Sequence, residues 1–487
     1  MTVSHPKRIL IIGGGPCGLV TLRNCLHRGE FTDVQLVERR DNIGGVWYHA
    51  DPAECVNHED VNHNDRPPHW SYPAYPGMIG NVLPEFLTFS GNPFPIPPRT
   101  GQPFPTLRET YDYLKDFARP LLEQKKIRLN HEVISAEEIH PRNGGGWKVV
   151  MKDWSEGGAE KEELWDAIVV TTVWFDNPNF PNTEGLDAIM KAGKARHAVS
   201  WTGPSGHEGK RIVVIGNANS ANEMAAQVVP VAQLPVYRST RRVSIFPSLP
   251  DGRIEDIGPV MRYEYCPAAD KVIIHLQDRS IQDIDYVLLG TGYYPNVPYL
   301  RVLEPNHKFT CDIGDTTTTG YGMQLIQLTG QGVQPSRIPS LFRQILYAHN
   351  PTLAFIGALI SFIPFTFSDL TSTWLAFVWS GRIEIPDTIQ DRLHDEQERL
   401  KKLHELRSQT DNPSDLVSFH FLGQFELPYA KVARAEIIQA SPNLEDILAK
   451  WDDEQDNRRF AMYATKLDSL YVVAGKNKPL GGQGKWK

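Results

Sequence analysis

The sequence predicts an α/β protein with two parallel-sheet domains, the second inserted into the first, and a C-terminal helical extension. Three observations predict it. An apolar, β-branched run over Lys7–Ile12 opens directly into a glycine-rich turn, Gly13–Gly18, and then a helical segment to about Arg28. The same grammar recurs about two hundred residues later, where Arg211–Ile215 leads into Gly216–Ala221 and Asn222–Val228 opens a helix. Closely spaced prolines over Asn177–Pro181 and a second break over Gly290–Pro298 bracket that second unit.

Composition bounds the reading. The chain has 487 residues, with 50 basic and 58 acidic side chains and a formal charge of −8. At about 150 residues per domain this makes two or three domains. A hydrophobic share of 41% with 22% charged residues excludes long disorder. The acidic balance argues against nucleic acid as a partner. Five cysteines (Cys17, Cys25, Cys55, Cys266, Cys311) lie far apart without a C-x-x-C pair, so no disulfide framework or zinc site is expected and the cytoplasm suits the chain. No apolar leader precedes the first strand. The apolar stretch Leu353–Val378 is broken by Pro364, Ser368, Asp369, Thr371 and Ser372, which predicts a buried strand and helix, not a membrane anchor.

In chain order, a second strand runs over Asp33–Val37 and ends at Glu38. A Pro-rich loop, Asn92–Pro105, precedes a helix from about Leu107 to Lys126, and strands follow around Trp147–Val150 and Ile168–Val170. Beyond the second turn another strand begins at Val236-Tyr237. Residues 1–176 and 295–400 are expected to form the first domain, 177–294 the insert, and 401–487 the extension. Ile389, Leu393, Leu400 and Leu403 recur at helical spacing, which predicts an amphipathic helix with a solvated charged side.

Each turn sits between a strand and a helix, where G-x-G-x-x-G lets a pyrophosphate approach the backbone and meet the helix N-terminus. The first copy is complete at Gly13, Gly15 and Gly18, with Pro16 and Cys17 inside it. The second keeps Gly216 but has Ala218 and Ala221, with Asn219 and Ser220 between them. Glu38 lies 20 positions after Gly18, where a carboxylate accepts from a ribose hydroxyl and repels a 2′-phosphate. Arg241 lies 20 positions after Ala221, beside Ser239 in the cluster Arg238–Arg242, and guanidinium with hydroxyl suits a 2′-phosphate. The pair reads as two Rossmann-like dinucleotide-binding domains, FAD in the first and NADPH in the second. The stretch Glu54–His69 gathers His58, Glu59, Asp60, His63 and His69, but its Asn/Asp/Pro-rich setting predicts a solvated loop and no metal. A disulfide reductase would need a cysteine pair where Cys55 stands alone.

From about residue 7 to about residue 386 the chain resembles the flavin-containing monooxygenases, class B flavoproteins. Gly44-Gly45-Val46-Trp47 matches the family's G-G-x-W, and Gly80-Asn81 with Pro84–Phe89 resembles its T-N-x-P-x-x-x-x-x-F stretch. Asp285–Tyr293 is similar to D-x-V-x-x-A-T-G-Y, with Gly290 in place of alanine, and Pro351–Gly357 resembles the strand that returns to the flavin. The resemblance implies FAD, NADPH and dioxygen, a flavin C4a-hydroperoxide, and oxygen transfer to a soft heteroatom of a small molecule, an amine, imine or indoline nitrogen ahead of sulfur. It implies cofactor contacts for Gly45, Val46, Trp47, Gly80 and Asn81, with the Asn81 amide as a catalytic hydrogen-bond partner beside flavin and nicotinamide. Fungal natural-product N-oxygenases have similar lengths and motifs.

Departures leave two other readings open. Gly193, His197 and Trp201 hold positions of the fingerprint F-x-G-x-x-x-H and its following aromatic, while Lys191 replaces the phenylalanine. Trp201 is the residue that related Baeyer–Villiger enzymes, which oxidise ketones, carry there. Val170–Val173 departs from the family's A-T-G, and Asp369-Leu370-Thr371 from its E-x-Q. A non-catalytic FAD/NADPH flavoprotein would show Ala218, Thr172 and Lys191 as signs of decay. Residues after about His404 match no motif and suit a cap or an interface, leaving a homo-oligomer open.

Overall fold

The computed structural model describes residues 5–49, 68, 70–95, 103–242, 246, 248–306, 322–330, 332–409 and 418–475. Its first layer is a seven-stranded sheet in the order Leu341–Phe342, Leu346–Tyr347, Leu353–Phe355, Ala167–Val170, Arg8–Ile12, Asp33–Val37 and Ile127–Arg128. The five pairing partners from Leu353–Phe355 to Ile127–Arg128 are parallel. Strand alternation divides the central strand between two cores: Ile9 and Ile11 face one, Leu10 and Ile12 the other. Helix α1 (Pro16–Arg28) lies in the first core, and α2 (Leu107–Glu123) packs beside it. A capping box starts α2: Thr106 Oγ1 accepts from the Glu109 N–H at 3.2 Å, and Glu109 Oε2 accepts from the Thr106 N–H at 2.9 Å. The second core fills the space to a five-stranded sheet in the order Gly322–Gln327, Leu300–Asn306, His131–Glu138, Trp147–Asp153 and Ala159–Trp165.

The inserted unit carries helix α3 (Leu186–Lys191) and helix α4 (Asn219–Val228). Its sheet is parallel, in the order Ile254–Ile257, Gln233–Ser239, Arg211–Ile215, Tyr286–Leu289 and Ala195–His197. A separate antiparallel sheet, Arg262–Cys266, Lys271–His275 and Ser280–Ile284, completes the unit. The chain enters and leaves it through two linkers that lie against each other. Asn177 Nδ2 donates to the carbonyls of Val173 (3.0 Å) and Asn296 (3.1 Å), and the Tyr294 N–H donates to the Asn177 carbonyl at 3.0 Å. The Asn179 N–H donates to the Gly292 carbonyl at 2.9 Å.

After the return strand comes helix α5 (Pro364–Trp379), buried along almost its whole length, so the stretch Leu353–Val378 does form a strand and a buried helix. Asp369 is the polar hub of that packing. Its carboxylate accepts from Arg23 (2.9 Å), Arg28 (3.2 Å), Asn24 (3.0 Å) and the Ser90 N–H (2.5 Å). Burial raises its pKa, and the two guanidinium groups outweigh that and hold it below the ordinary value.

Helix α6 (Ile389–Ser408) corrects the expected apolar stripe. Ile389 is 40% exposed, whereas Arg392 and Glu396 are buried with Leu403. Arg392 Nε donates to the Ala348 carbonyl at 2.8 Å, and Glu396 accepts from Arg337 Nε (2.7 Å) and the Ser340 N–H (2.9 Å). The helix docks through specific hydrogen bonds to the strand loops, not through its aliphatic positions alone. Helices α7 (Glu426–Ala440) and α8 (Asp453–Val473) form the extension. No helix among the described residues is long and apolar enough to cross a membrane. Residues 54–67 and 69, which hold the histidine-rich loop, lie outside the described residues, as does 96–102 of the Pro-rich loop.

Candidate active site

The first glycine turn forms one wall of a cavity of about 580 Å³ at the carboxyl ends of the parallel strands. No side chain caps α1, whose N-cap is Gly15, so its first N–H groups are left for a ligand. Two glycines here are required by shape. Gly13 has φ +114°, and a Cβ there would meet Thr171 Oγ1 and Thr172 Cγ2 at 2.6 Å. A Cβ on Gly18 would stand 1.9 Å from the Gly13 carbonyl oxygen. Opposite, Gly45 brings its backbone against Gly15, with the place of its missing Cβ 2.8 Å from Gly15 Cα. Glu38 is 6% exposed; Oε2 accepts from the Gly14 N–H at 2.6 Å and Oε1 from the Arg40 N–H at 2.9 Å. Those bonds fix the carboxylate at the cavity wall and leave it lone pairs for a ribose.

Of the residues expected to hold the first cofactor, Gly13, Gly15, Pro16, Cys17, Glu38, Gly45 and Val46 line this cavity. Gly18 lies beneath the turn as a spacer. Trp47 packs edge-on against Phe365, centroids 6.2 Å apart. Burial raises the Cys17 pKa, and the thiol stands 3.2 Å from Ser368 Oγ, a packing role. Gly80 and Asn81 are not among the lining residues; they form a bend pinned by the Gly80 N–H to the Pro105 carbonyl at 2.8 Å, with Asn81 half-buried. Thr171–Asn177 and Tyr299 also line the cavity; sequence reasoning reads Thr171–Val173 and Asn177 only as linker and break, and assigns none of these residues to a cofactor. Their signal was the end of a parallel strand facing the glycine turn.

The second turn borders a cavity of about 260 Å³ lined by Gly216, Asn217, Ala218, Ser239, Arg241, Arg242 and Gly290–Gly292. Gly216 has φ +122°, and α4 starts without a side-chain cap at Ala218. Asn219 and Ser220 make the first turn of α4, while Ala221 is fully buried below it. Ser239 Oγ donates to the Gly258 carbonyl at 3.0 Å. One expectation is corrected. Arg238 does not join a phosphate cluster, because it is 4% exposed and turned inward, with Nε and Nη2 on Asp256 (2.7 and 2.8 Å) and Nη1 on Asn222 Oδ1 (3.0 Å). Strand alternation sends its side chain to the opposite face from that of its neighbour Ser239.

Of the fingerprint residues, His197 and Trp201 are buried, whereas Lys191 and Gly193 are exposed. His197 Nδ1 accepts from the Val199 N–H at 3.0 Å, so Nε2 carries the proton and donates to the Gly292 carbonyl at 3.1 Å. Burial pushes its pKa down to about 4. Its ring lies between Phe180 and Tyr293, at 5.4 and 5.3 Å. Trp201 is buried, and its Nε1 donates to Gln227 Oε1 on α4 at 2.9 Å.

The family described as FMO-like, flavin-binding monooxygenase-like, matches the chain over residues 6–258. The chain belongs to this family. It is thus a flavin monooxygenase whose cofactors are FAD and NADPH, and the two uncapped helix starts with their cavities fit two dinucleotides. Flavin-containing monooxygenase FMO GS-OX3 of Arabidopsis thaliana is 26% identical over 401 residues, 78% of this chain and 75% of that protein. The thiol-specific monooxygenase of Saccharomyces cerevisiae is 25% identical over 390 residues, 80% of each. Among solved structures, S-allyl-L-cysteine S-oxygenase from Allium sativum superposes with a TM-score of 0.66 at 22% identity, covering 96% of this flavin monooxygenase and 100% of that chain.

Proposed function

We propose that this flavin monooxygenase transfers one atom of dioxygen to a soft heteroatom, nitrogen or sulfur, of a small molecule. The overall change is substrate, dioxygen, NADPH and a proton giving the N- or S-oxide, NADP⁺ and water. The observation that carries the reading is the pairing of two cradles with opposite charge at the ribose position, Glu38 in one and Arg241 in the other. Bound FAD, reduced by NADPH, supplies the oxygen activation. The protein binds, orients and excludes water. Gly13–Gly18 and the α1 N-terminus take the flavin pyrophosphate, and Glu38 accepts from the ribose. Gly216 and α4 take the NADPH pyrophosphate, with Arg241 at the 2′-phosphate and Ser239, whose hydroxyl donates to the Gly258 carbonyl, lining the wall beside it. Asn81 offers its amide beside the flavin ring.

Sulfur gains support from the yeast relative and the garlic structure, whose names specify a thiol and an S-oxygenation. Nitrogen rests on the sequence motifs. Trp201 gives no reason to prefer a ketone, since its indole N–H is spent on Gln227 and it lines neither cavity. The test is aerobic turnover with NADPH and matched amines, thioethers and ketones, each product identified by mass. An N-oxide or S-oxide is expected. An ester or lactone from the ketone, or no oxygenated product from a flavin-loaded protein, would overturn the reading.

A further inference from the structure

We propose that Lys466, on the C-terminal helix α8, is a positioning residue that fastens the turn carrying Asn81 to the NADPH-binding helix α4. Lys466 is 4% exposed. Its ammonium donates to the carbonyls of Ile79 (3.3 Å) and Gly80 (3.1 Å) and to Glu223 Oε1 on α4 (3.0 Å). Three donors meet three acceptors, so the buried cation is satisfied. It also stands 5.8 Å from the centroid of the Phe104 ring. Glu223 is itself nearly buried, its side chain 12% exposed.

A buried ion pair is a poor source of net stability, because desolvation offsets the attraction. A methionine of similar reach would fill the space at less cost if filling were the need. What methionine cannot do is hold two successive backbone carbonyls and a carboxylate from another domain at one point. The rest of α8 is placed for such a part. Arg458 pairs with Glu85, six residues from Ile79, while Leu470 and Ala474 pack with Ala226 of α4 and with Leu249. Arg253 Nη2 of the inserted domain donates to the Ala474 carbonyl at 3.1 Å. The extension thereby touches both cofactor domains, and Lys466 is where they share one charge. This inference rests on the proposed place of Asn81 beside the flavin. It deepens that reading by naming what fixes Asn81 relative to NADPH.

The test compares the holoenzyme with Lys466→Met, Lys466→Arg and the double variant Lys466→Met/Glu223→Gln, which leaves no buried charge unpaired. Two readouts are taken: hydrogen exchange over residues 78–82 with NADP⁺ bound, and hydrogen peroxide formed per NADPH oxidised. Lys466→Met should keep its flavin. Its exchange at Gly80 and Asn81 should rise at least about tenfold, the worth of one of the two charge-assisted hydrogen bonds that the turn loses. Peroxide per NADPH should rise severalfold, and Lys466→Arg should recover most of both. A folded, flavin-loaded Lys466→Met with unchanged exchange and coupling would overturn the proposal. So would failure of both Met variants to fold, which would make Lys466 a folding residue. If the wild-type enzyme oxygenates nothing, the functional reading falls, and the exchange measurement still decides whether Lys466 holds the turn.

Discussion

A methyl group on Gly290 would stand 2.7 Å from the Cβ of Ala221, and 2.8 and 2.9 Å from the Cα and N of the same residue. The family's pattern has alanine at the first of these places and glycine at the second, so two apparent departures face each other across one contact. The methyl group stands on the helix side of this contact, and α4 lies close against the strand end. The first unit shows the contrast: Gly18 allows no Cβ at all beside the Gly13 carbonyl, whereas the helix of the second unit accommodates Ala221. Ala221 is thus accommodated by packing against a residue without a side chain.

Gly290→Ala should therefore destabilise the inserted domain by about 1–3 kcal/mol through overpacking. Ala221→Gly in the same chain should recover only part of this, since the Ala221 backbone also lies within 3 Å of the new methyl. Thermal unfolding of the two single variants and the double variant measures the coupling. Additive effects would show that the two sites do not communicate.

Arg241→Ala should weaken NADPH binding by roughly 1.5–3 kcal/mol, about tenfold to a hundredfold, and leave NADH little changed. Arg238 is committed to Asp256 and Asn222, so only Arg242 also lines the cavity and can compensate. Dissociation constants for both nucleotides check this. Equal losses would mean that Arg241 supports the fold.

Asn81→Ala should keep its flavin, since the Glu38 and Gly13–Gly18 contacts lie elsewhere, yet divert NADPH oxidation toward hydrogen peroxide. With Asn81 beside the flavin as proposed, removing the amide would open room for water at the reacting atoms. Flavin content, NADPH consumption, peroxide and product are measured together. Full coupling in the variant would make Asn81 a bystander, and loss of flavin would make it a structural residue.

Stability should fall in mild acid. Burial pushes His197 down to about 4 and His420 down to about 3, with Arg399 and Arg337 adding to the second. Both imidazoles are neutral when folded and take up protons more readily when unfolded. The unfolded state therefore binds more protons below the ordinary histidine value of about 6.5, and stability is lost from there down to the folded values. Each group contributes at most about 1.4 kcal/mol per pH unit. Thermal midpoints across this range should decline more steeply in the wild type than in His197→Asn, which can still accept from the Val199 N–H but does not titrate. Equal slopes would exclude His197 as a source.

The cradles were legible because their physics is local. A strand, a glycine turn and a helix start are contiguous, and Glu38 and Arg241 fall at fixed distances from them. The helix starting at Leu107 and the buried helix Pro364–Trp379 were legible for the same reason. What escaped was partner choice across the chain. Arg392 and Glu396 look like a solvated face until the Ala348 and Ser340 backbones come to meet them. Arg238 looks like a phosphate ligand until Asp256 arrives on the neighbouring strand. Lys466 sits in a segment without a motif, and its partners lie hundreds of residues away.

The two linkers around Asn177 and Asn296 are cross-bonded into a single narrow ribbon. The ends of the inserted unit therefore meet: the chain leaves it beside the point at which it entered. That geometry lets one domain be carried inside another without interrupting the host's sheet, in which Ala167–Val170 and Leu353–Phe355, one strand before the insert and one after it, still pair.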